Sequence, residues 1–309
     1  MTPEKLFELV NLRILVVATD AGAALFLAPV IEKLSDKNSI KVVAGYHGSI
    51  TFRHQNILHE NIDGKASHSI VANQLLSENF HLLLLGTNLG PSLEKILTIK
   101  AGEYGVETIA VVDHYWHLWH RFADLEKKAL NRFLPDNIWV HTNWQKDHLE
   151  SKGVPKRQIH VSSHPYLKLL RNQDWPSKKK SFCRELGIDT KLLLITYASE
   201  PPPTGKIKWE SEEPSCSEIE KVVNLLVEFI SEANKNMAKV LLIVKKHPTE
   251  PPGFLREVWS RLGSHYNILE DYSPKRLIQA SDFVLGMTSM FLLEANAMRK
   301  QVALISIND

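Results

Sequence analysis

Hydrophobic residues in this chain gather into short β-branched and leucine-rich runs, separated by polar turns and amphipathic stretches. Residues 12–18 form the first run, closed by Thr19, Asp20, Ala21 and Gly22, with a helical apolar pattern over 25–34. Runs at 40–45, 80–85, 107–112 and 137–141 repeat the theme, and the run at 80–85 ends in Gly86, Thr87 and Asn88. A helix over 93–104 is expected to stop near Gly105, because glycine tolerates the left-handed conformation that ends a helix. Runs apolar at successive positions, not alternate ones, predict strands buried on both faces. Such strands separated by helices predict a parallel α/β sheet. The polar, histidine-rich stretch 46–68 fits no single element.

The second half repeats the layout without repeating the sequence. A strand is predicted over 191–197, a long amphipathic helix over 218–234, and a strand over 240–245 that ends in Lys246, His247, Pro248 and Thr249. A helix over 257–262 and a short strand over 267–269 follow. Ser273 then caps a helix over 274–280. The closing segment, 282–307, reads strand (Phe283, Val284, Leu285), turn, helix, strand (302–307). Its turn holds Gly286, Thr288 and Ser289. Backbone N–H groups at a helix start lack partners and sit at the positive end of the helix dipole, so a phosphate is well held there. Glu294 lies further along that helix among Leu292, Leu293 and Ala295; a carboxylate in such company needs a partner, and ribose hydroxyls would serve. Between the halves, RNQDWPSKKK at 171–180 reads as a hinge. The expected division is therefore 1–170, a hinge at 171–180, and 181–309.

Composition narrows the function classes. A chain of 309 residues with 23% charged residues and a net charge of +2 has ordinary globular character and no strong pull on polyanions. No basic patch with interleaved aromatics points to nucleic acid. Cys183 and Cys216 form neither a metal pair nor a disulfide framework, which favours a reducing cytoplasm. The N-terminus lacks the pattern of a signal peptide and no run reaches the ~18 apolar residues of a membrane span, so only a peripheral membrane contact stays open. Neither G-x-G-x-x-G nor G-x-x-x-x-G-K-[ST] occurs, which argues against a dinucleotide fingerprint and a phosphate-loop kinase.

Strand ends in an open parallel sheet face the ligand crevice, so the residues just past them are the candidates for chemistry. Asp20 either caps the helix after it or acts as a general base, with Ala21, Gly22, Ala23 and Ala24 leaving room for a substrate. Asp113 and His114 open the segment VVDHYWHLWHRF and form the second acid–base candidate, with Trp116 and Trp119 as platforms for sugar rings or as packing. His117 and His120 extend a three-residue spacing from His114; on a helix that spacing does not converge on a metal, and no metal is expected. His47 and Glu200 also follow strands, with surface and loop roles as the alternatives, and His164 sits near the crossover between the halves, with a turn before Pro165 as its alternative. Lys246 and His247 are candidates for a phosphate or base edge, or for a simple strand-end turn.

Three segments carry a resemblance: KKHPTE at 245–250, EDYSPKRLIQASDFVLG at 270–286, and MTSMFLLEANAMRKQVALISI after it. Together they resemble the nucleotide-binding domain of GT-B glycosyltransferases and their UDP-N-acetylglucosamine 2-epimerase relatives, with RKQV standing where the family has GKPV. ATDAGAALFLAPVI, VVDHYWHLWHRF, LPDNIWVHT and YASEPPPTG resemble GT-B-like proteins of bacterial surface-polysaccharide synthesis. The resemblance implies two Rossmann-like domains facing a cleft. A nucleotide-sugar substrate would lie on the C-terminal side at Lys246, His247, Gly286, Thr288, Ser289 and Glu294. A glycan, lipid or small-molecule acceptor would lie on the N-terminal side near Asp20, Asp113 and His114. The expected reaction is metal-independent sugar transfer to an acceptor hydroxyl, with no separate cofactor. The alternatives are a UDP-sugar 2-epimerase-like enzyme or a non-catalytic binding protein. Chains of this kind continue past the last strand, whereas this sequence stops at Asp309, so a short variant, a truncated chain or an incomplete C-terminal lobe is expected.

Overall fold

The computed structural model describes residues 1–62, 66–202, 214–236, 239–247, 250–269 and 272–305. Pro248 and Thr249, most of the loop after Glu200, Glu270, and the end of the strand expected over 302–307 lie outside them. The chain divides into two compact units, the first holding Met1–Lys168 and the second beginning at Leu169.

The first unit contains β1 (Arg13–Ala18), β2 (Ser39–Ala44), β3 (Glu60–Asn61), β4 (Leu82–Leu85), β5 (Glu107–Val111), β6 (Asn137–Val140) and β7 (Ile159–Val161). They form one sheet in the order β3-β2-β1-β4-β5-β6-β7, and every pairing is parallel. Helices α1 (Pro3–Glu8), α2 (Ala21–Ser35), α3 (Tyr46–His54), α4 (His68–Leu76), α5 (Leu93–Ala101) and α6 (Asn143–Ser151) connect them. Alternate residues of each strand feed two separate cores, which is why the strands are apolar throughout. Ile14, Val16, Leu82, Leu84 and Val111 pack with Phe26, Leu27 and Val30 of α2. Leu15, Val17, Leu83, Leu85 and Val112 pack on the other face with Leu75, Leu76, Leu93 and Leu97 of α4 and α5. The described residues of 46–68, unassigned from pattern alone, include α3, the short edge strand β3 and the start of α4.

Helix α7 (Pro165–Asn172) runs across the boundary between the units, and α8 (Lys179–Leu186) opens the second. The stretch 171–180 is thus the end of one helix, a connection, and the start of another. The second sheet contains β8 (Leu193–Ala198), β9 (Val240–Lys245), β10 (Tyr266–Leu269), β11 (Phe283–Gly286) and β12 (Gln301–Leu304) in the order β10-β9-β8-β11-β12, again all parallel. Helices α9 (Cys216–Lys235), α10 (Arg256–Ser260), α11 (Pro274–Ala280) and α12 (Met290–Ala297) join them. Ile219, Val222, Val223, Leu226 and Ile230 of α9 seat the amphipathic face on Ile195, Leu242, Val244 and Trp259.

An aspartate just ahead of a strand locks each sheet. Asp136 Oδ2 accepts the N–H and hydroxyl of Thr108, both at 2.8 Å. Asp282 Oδ2 accepts the Leu194 N–H at 2.8 Å and the Lys179 ammonium at 2.6 Å. In each sheet the strand order reverses once, between β1 and β4 and between β8 and β11. Ligands of open α/β sheets bind at the strand carboxyl ends at such points.

Candidate functional site

In the first unit, polar residues converge at the carboxyl ends of β1, β4 and β5. Asp113, just past β5, is buried and its Oδ1 accepts Arg121 Nη1 at 2.9 Å. The same nitrogen reaches Thr87 Oγ1 at 3.0 Å, and that hydroxyl donates to the Val111 carbonyl at 3.0 Å, so the guanidinium is held from two strand ends. Asp113 presses on the first turn of α2, where a Cβ at Gly22 would fall 1.9 Å from its Oδ2. Asp20 is the N-cap of that helix and accepts the Ala21 N–H at 2.7 Å. Asp20 is exposed at its rim, yet crowding by protein and then the charge of Asp113 push its carboxyl above the ordinary value, against the pull of Arg121. Two carboxylates whose environments differ can divide the roles of acid and base between them.

His114 is half-buried and its carbonyl accepts Gln145 Nε2 at 3.0 Å. The segment beyond it is turns and one 3-10 helix, Trp119–Phe122, with His117 at a left-handed φ of 56°. The helical spacing argument for its histidines therefore has no helix to act on. Trp119 lies in the first unit's own core and stacks on His120 at 3.6 Å, whereas Trp116 is exposed. Among the described residues no group of three or more His, Cys, Asp or Glu is placed to hold a metal ion.

Glu94 and Thr19 were not singled out from sequence, yet they belong to this cluster. Buried Glu94 of α5 turns Oε1 to the Thr19 N–H at 2.7 Å and hydroxyl at 2.6 Å, and its Oε2 has no hydrogen-bond partner among the described residues. Thr19 also lines a cavity of about 560 Å³ with Gly45, Ser49, Arg53, Asn61 and His68. The apolar pattern marked β1 and α5 correctly but held no signal for this pairing, because its partners lie 75 residues apart.

In the second unit, the turn between β11 and α12 is built as the sequence predicts. Gly286 ends β11, and Ser289 is the N-cap of α12, its hydroxyl accepting the Phe291 N–H at 3.3 Å. The free N–H groups of the turn are already engaged. Glu200, just past β8 across the point where strand order reverses, accepts the Thr288 N–H at 2.8 Å and its hydroxyl at 3.0 Å, and the Met287 and Ser289 N–H groups also face it. Burial raises the Glu200 carboxyl and these donors pull it back down. Glu294 is buried, as its neighbours require, with Oε2 unpartnered among the described residues. Burial lifts its carboxyl to about 7, against the attraction of Lys245 and Lys275. Lys246 and His247 follow β9, and the His247 N–H approaches Glu250, whose carboxylate Ser199 Oγ holds at 2.5 Å. That arrangement fixes the strand-end turn.

A UDP-GlcNAc 2-epimerase from Neisseria meningitidis bound to UDP-GlcNAc matches at a TM-score of 0.61 and 14% identity, covering 94% of this chain and 82% of that one. The UDP-GlcNAc 2-epimerase of Methanocaldococcus jannaschii matches at 0.65 and 14%, covering 94% and 82%. Anabaena HepE, in complex with UDP and glucose, matches at 0.66 and 13%, covering 94% and 80%. The chain shares their fold. This is the GT-B-like architecture of two Rossmann-like sheets that the sequence resemblance implied. No family model matches the chain. No curated protein matches it either. Among the described residues no helix is long and apolar enough to cross a membrane.

Proposed function

We propose that this protein binds a UDP-sugar and acts on its sugar in the manner of a 2-epimerase. The observation that carries the reading is the Asp20–Asp113 carboxylate pair, set against Arg121 at the strand ends of the first unit. From sequence alone, transfer to an acceptor ranked ahead of epimerisation, because few acids were evident at the strand ends. Buried Glu94, beside Thr19, adds an acid to Asp20, Asp113 and Glu200, which the sequence already offered, and weakens that objection. The UDP-GlcNAc 2-epimerases among the fold neighbours favour epimerisation over transfer.

In this reading the second unit takes the nucleotide. Ser289, Thr288 and Gly286 form the turn for the diphosphate, Glu294 Oε2 takes the ribose hydroxyls, and Lys246 and His247 stand at the neighbouring strand end. The first unit supplies proton transfer. Inverting a carbon beside the anomeric centre requires one group to remove a proton from one face and another to return it on the other. The nucleoside diphosphate is a competent leaving group that can depart and return during the process. Asp113, held by Arg121, is the base, and Asp20, with its raised carboxyl, is the acid.

Sugar transfer is the second reading, favoured by Asp20 lying beside the open α2 start, where an acceptor hydroxyl could approach. One experiment separates them. UDP-GlcNAc is incubated in D2O without acceptor and followed by proton NMR. Epimerisation predicts solvent deuterium in the sugar ring, lost in Asp113→Asn. Intact, undeuterated substrate, with UDP released only when an acceptor is added, would instead establish transfer.

A further inference from the structure

Glu200 places a protein carboxylate where the proposed reading needs a phosphate. It takes the Thr288 N–H and hydroxyl at 2.8 and 3.0 Å, and the N–H groups of Met287 and Ser289 face the same carboxylate. It is buried at 6% exposure, comes from a different strand of the sheet, and spans the point where strand order reverses. Backbone donors at a helix start hold one anion at a time, since a second would meet both the lost donors and a like charge. Tyr197 Oη, on β8 three residues earlier, is likewise buried, with no hydrogen-bond partner among the described residues.

We propose that Glu200 is an autoinhibitory anion: it occupies the β11–α12 turn in the empty protein, and a ligand phosphate binds only by displacing it. The proposal rests on the reading that this turn receives the diphosphate. It adds that the turn discriminates. An uncharged nucleoside cannot compete for the donors, so the phosphates both bind and release the latch. No bond is made or broken; one set of charge-assisted hydrogen bonds replaces another.

The test is calorimetry with inorganic pyrophosphate, UDP and uridine on the wild type and on Glu200→Gln, which keeps size but loses the charge. The expected result is pyrophosphate and UDP binding about tenfold tighter in the variant, with uridine unchanged. Equal or weaker pyrophosphate binding by a folded variant would overturn the proposal. The wild type gives an independent answer, whatever the variant's stability. The carboxyl carbon resonance of Glu200 should move as pyrophosphate saturates the protein, and a resonance that stays fixed would equally overturn it. Pyrophosphate needs no base or sugar recognition. A variant that binds it tightly, while neither protein binds UDP better than pyrophosphate, would sink the nucleotide reading and leave the latch standing.

Discussion

Glu294 shows how burial ties one carboxyl's contribution to stability to pH. Its carboxyl is lifted from 4.5 to about 7 by burial, so the folded protein holds that proton more tightly than the unfolded chain does. The stability this confers is complete below pH 4.5 and is lost as pH rises to about 7. Above that window the ionised group costs the fold up to ~3 kcal/mol, by the conversion of shift to free energy. Glu294→Gln should therefore raise the second unit's unfolding temperature at pH 8 and flatten its pH dependence in scanning calorimetry, while UDP binding weakens. Gly22 makes the opposite case, where nothing larger fits. A methyl group there would meet Asp113 Oδ2 at 1.9 Å, and Arg121 prevents that side chain from yielding freely. Gly22→Ala should cost ~1–3 kcal/mol by overpacking and abolish turnover, both measurable on the purified variant by denaturation and the NMR assay.

At the scale of elements, local sequence signals set most boundaries. Helix α11 spans Pro274–Ala280 with Ser273 as its N-cap, as the Ser-Pro signal requires. Gly105 closes the helical stretch after α5 in the left-handed conformation, at φ 66°. Helix α9 starts at a capping box in which Ser215 and Glu218 satisfy each other's backbone N–H groups. Ser215→Ala should lower stability by ~1 kcal/mol without touching nucleotide affinity, which denaturation and calorimetry on one variant would establish. The stretch 46–68 resisted this reading for a physical reason. Helix α3 begins at Gly45 without a side-chain cap, and β3 is only two residues long at a sheet edge. Neither leaves a periodic apolar mark.

For the whole molecule, the largest shifts in the two units predict opposite responses to pH. His141, past β6, has its imidazole lowered from 6.5 to about 4 by burial, so the first unit favours the neutral ring. Its contribution is present above pH 6.5 and is lost as pH falls to about 4, where the unfolded chain takes the proton first. Asp20 works the other way at the acid end, but it is exposed and screened. In the second unit, Glu294 and Glu200 both have raised carboxyls and both lose their contribution as pH rises. Each unit has its own sheet and cores. Scanning calorimetry between pH 5 and 7.5 should thus resolve two transitions, the first unit's moving up with pH and the second's moving down. A single transition moving one way would contradict that assignment.

The sequence by itself determined the two parallel sheets, because a strand buried on both faces is written as a continuous apolar run. It also determined the β11–α12 turn and the burial of Glu294, because Gly286, the Ser289 cap and the flanking leucines act through neighbours a few residues away. Only the tertiary structure decided what those groups meet. Arg121 finds Thr87 across 34 residues, Thr19 finds Glu94 across 75, and Thr288 finds Glu200 across 88. Such partners are brought together by the order of strands in the sheet. A pattern of polar and apolar positions specifies which face a residue occupies, but not which distant side chain shares it.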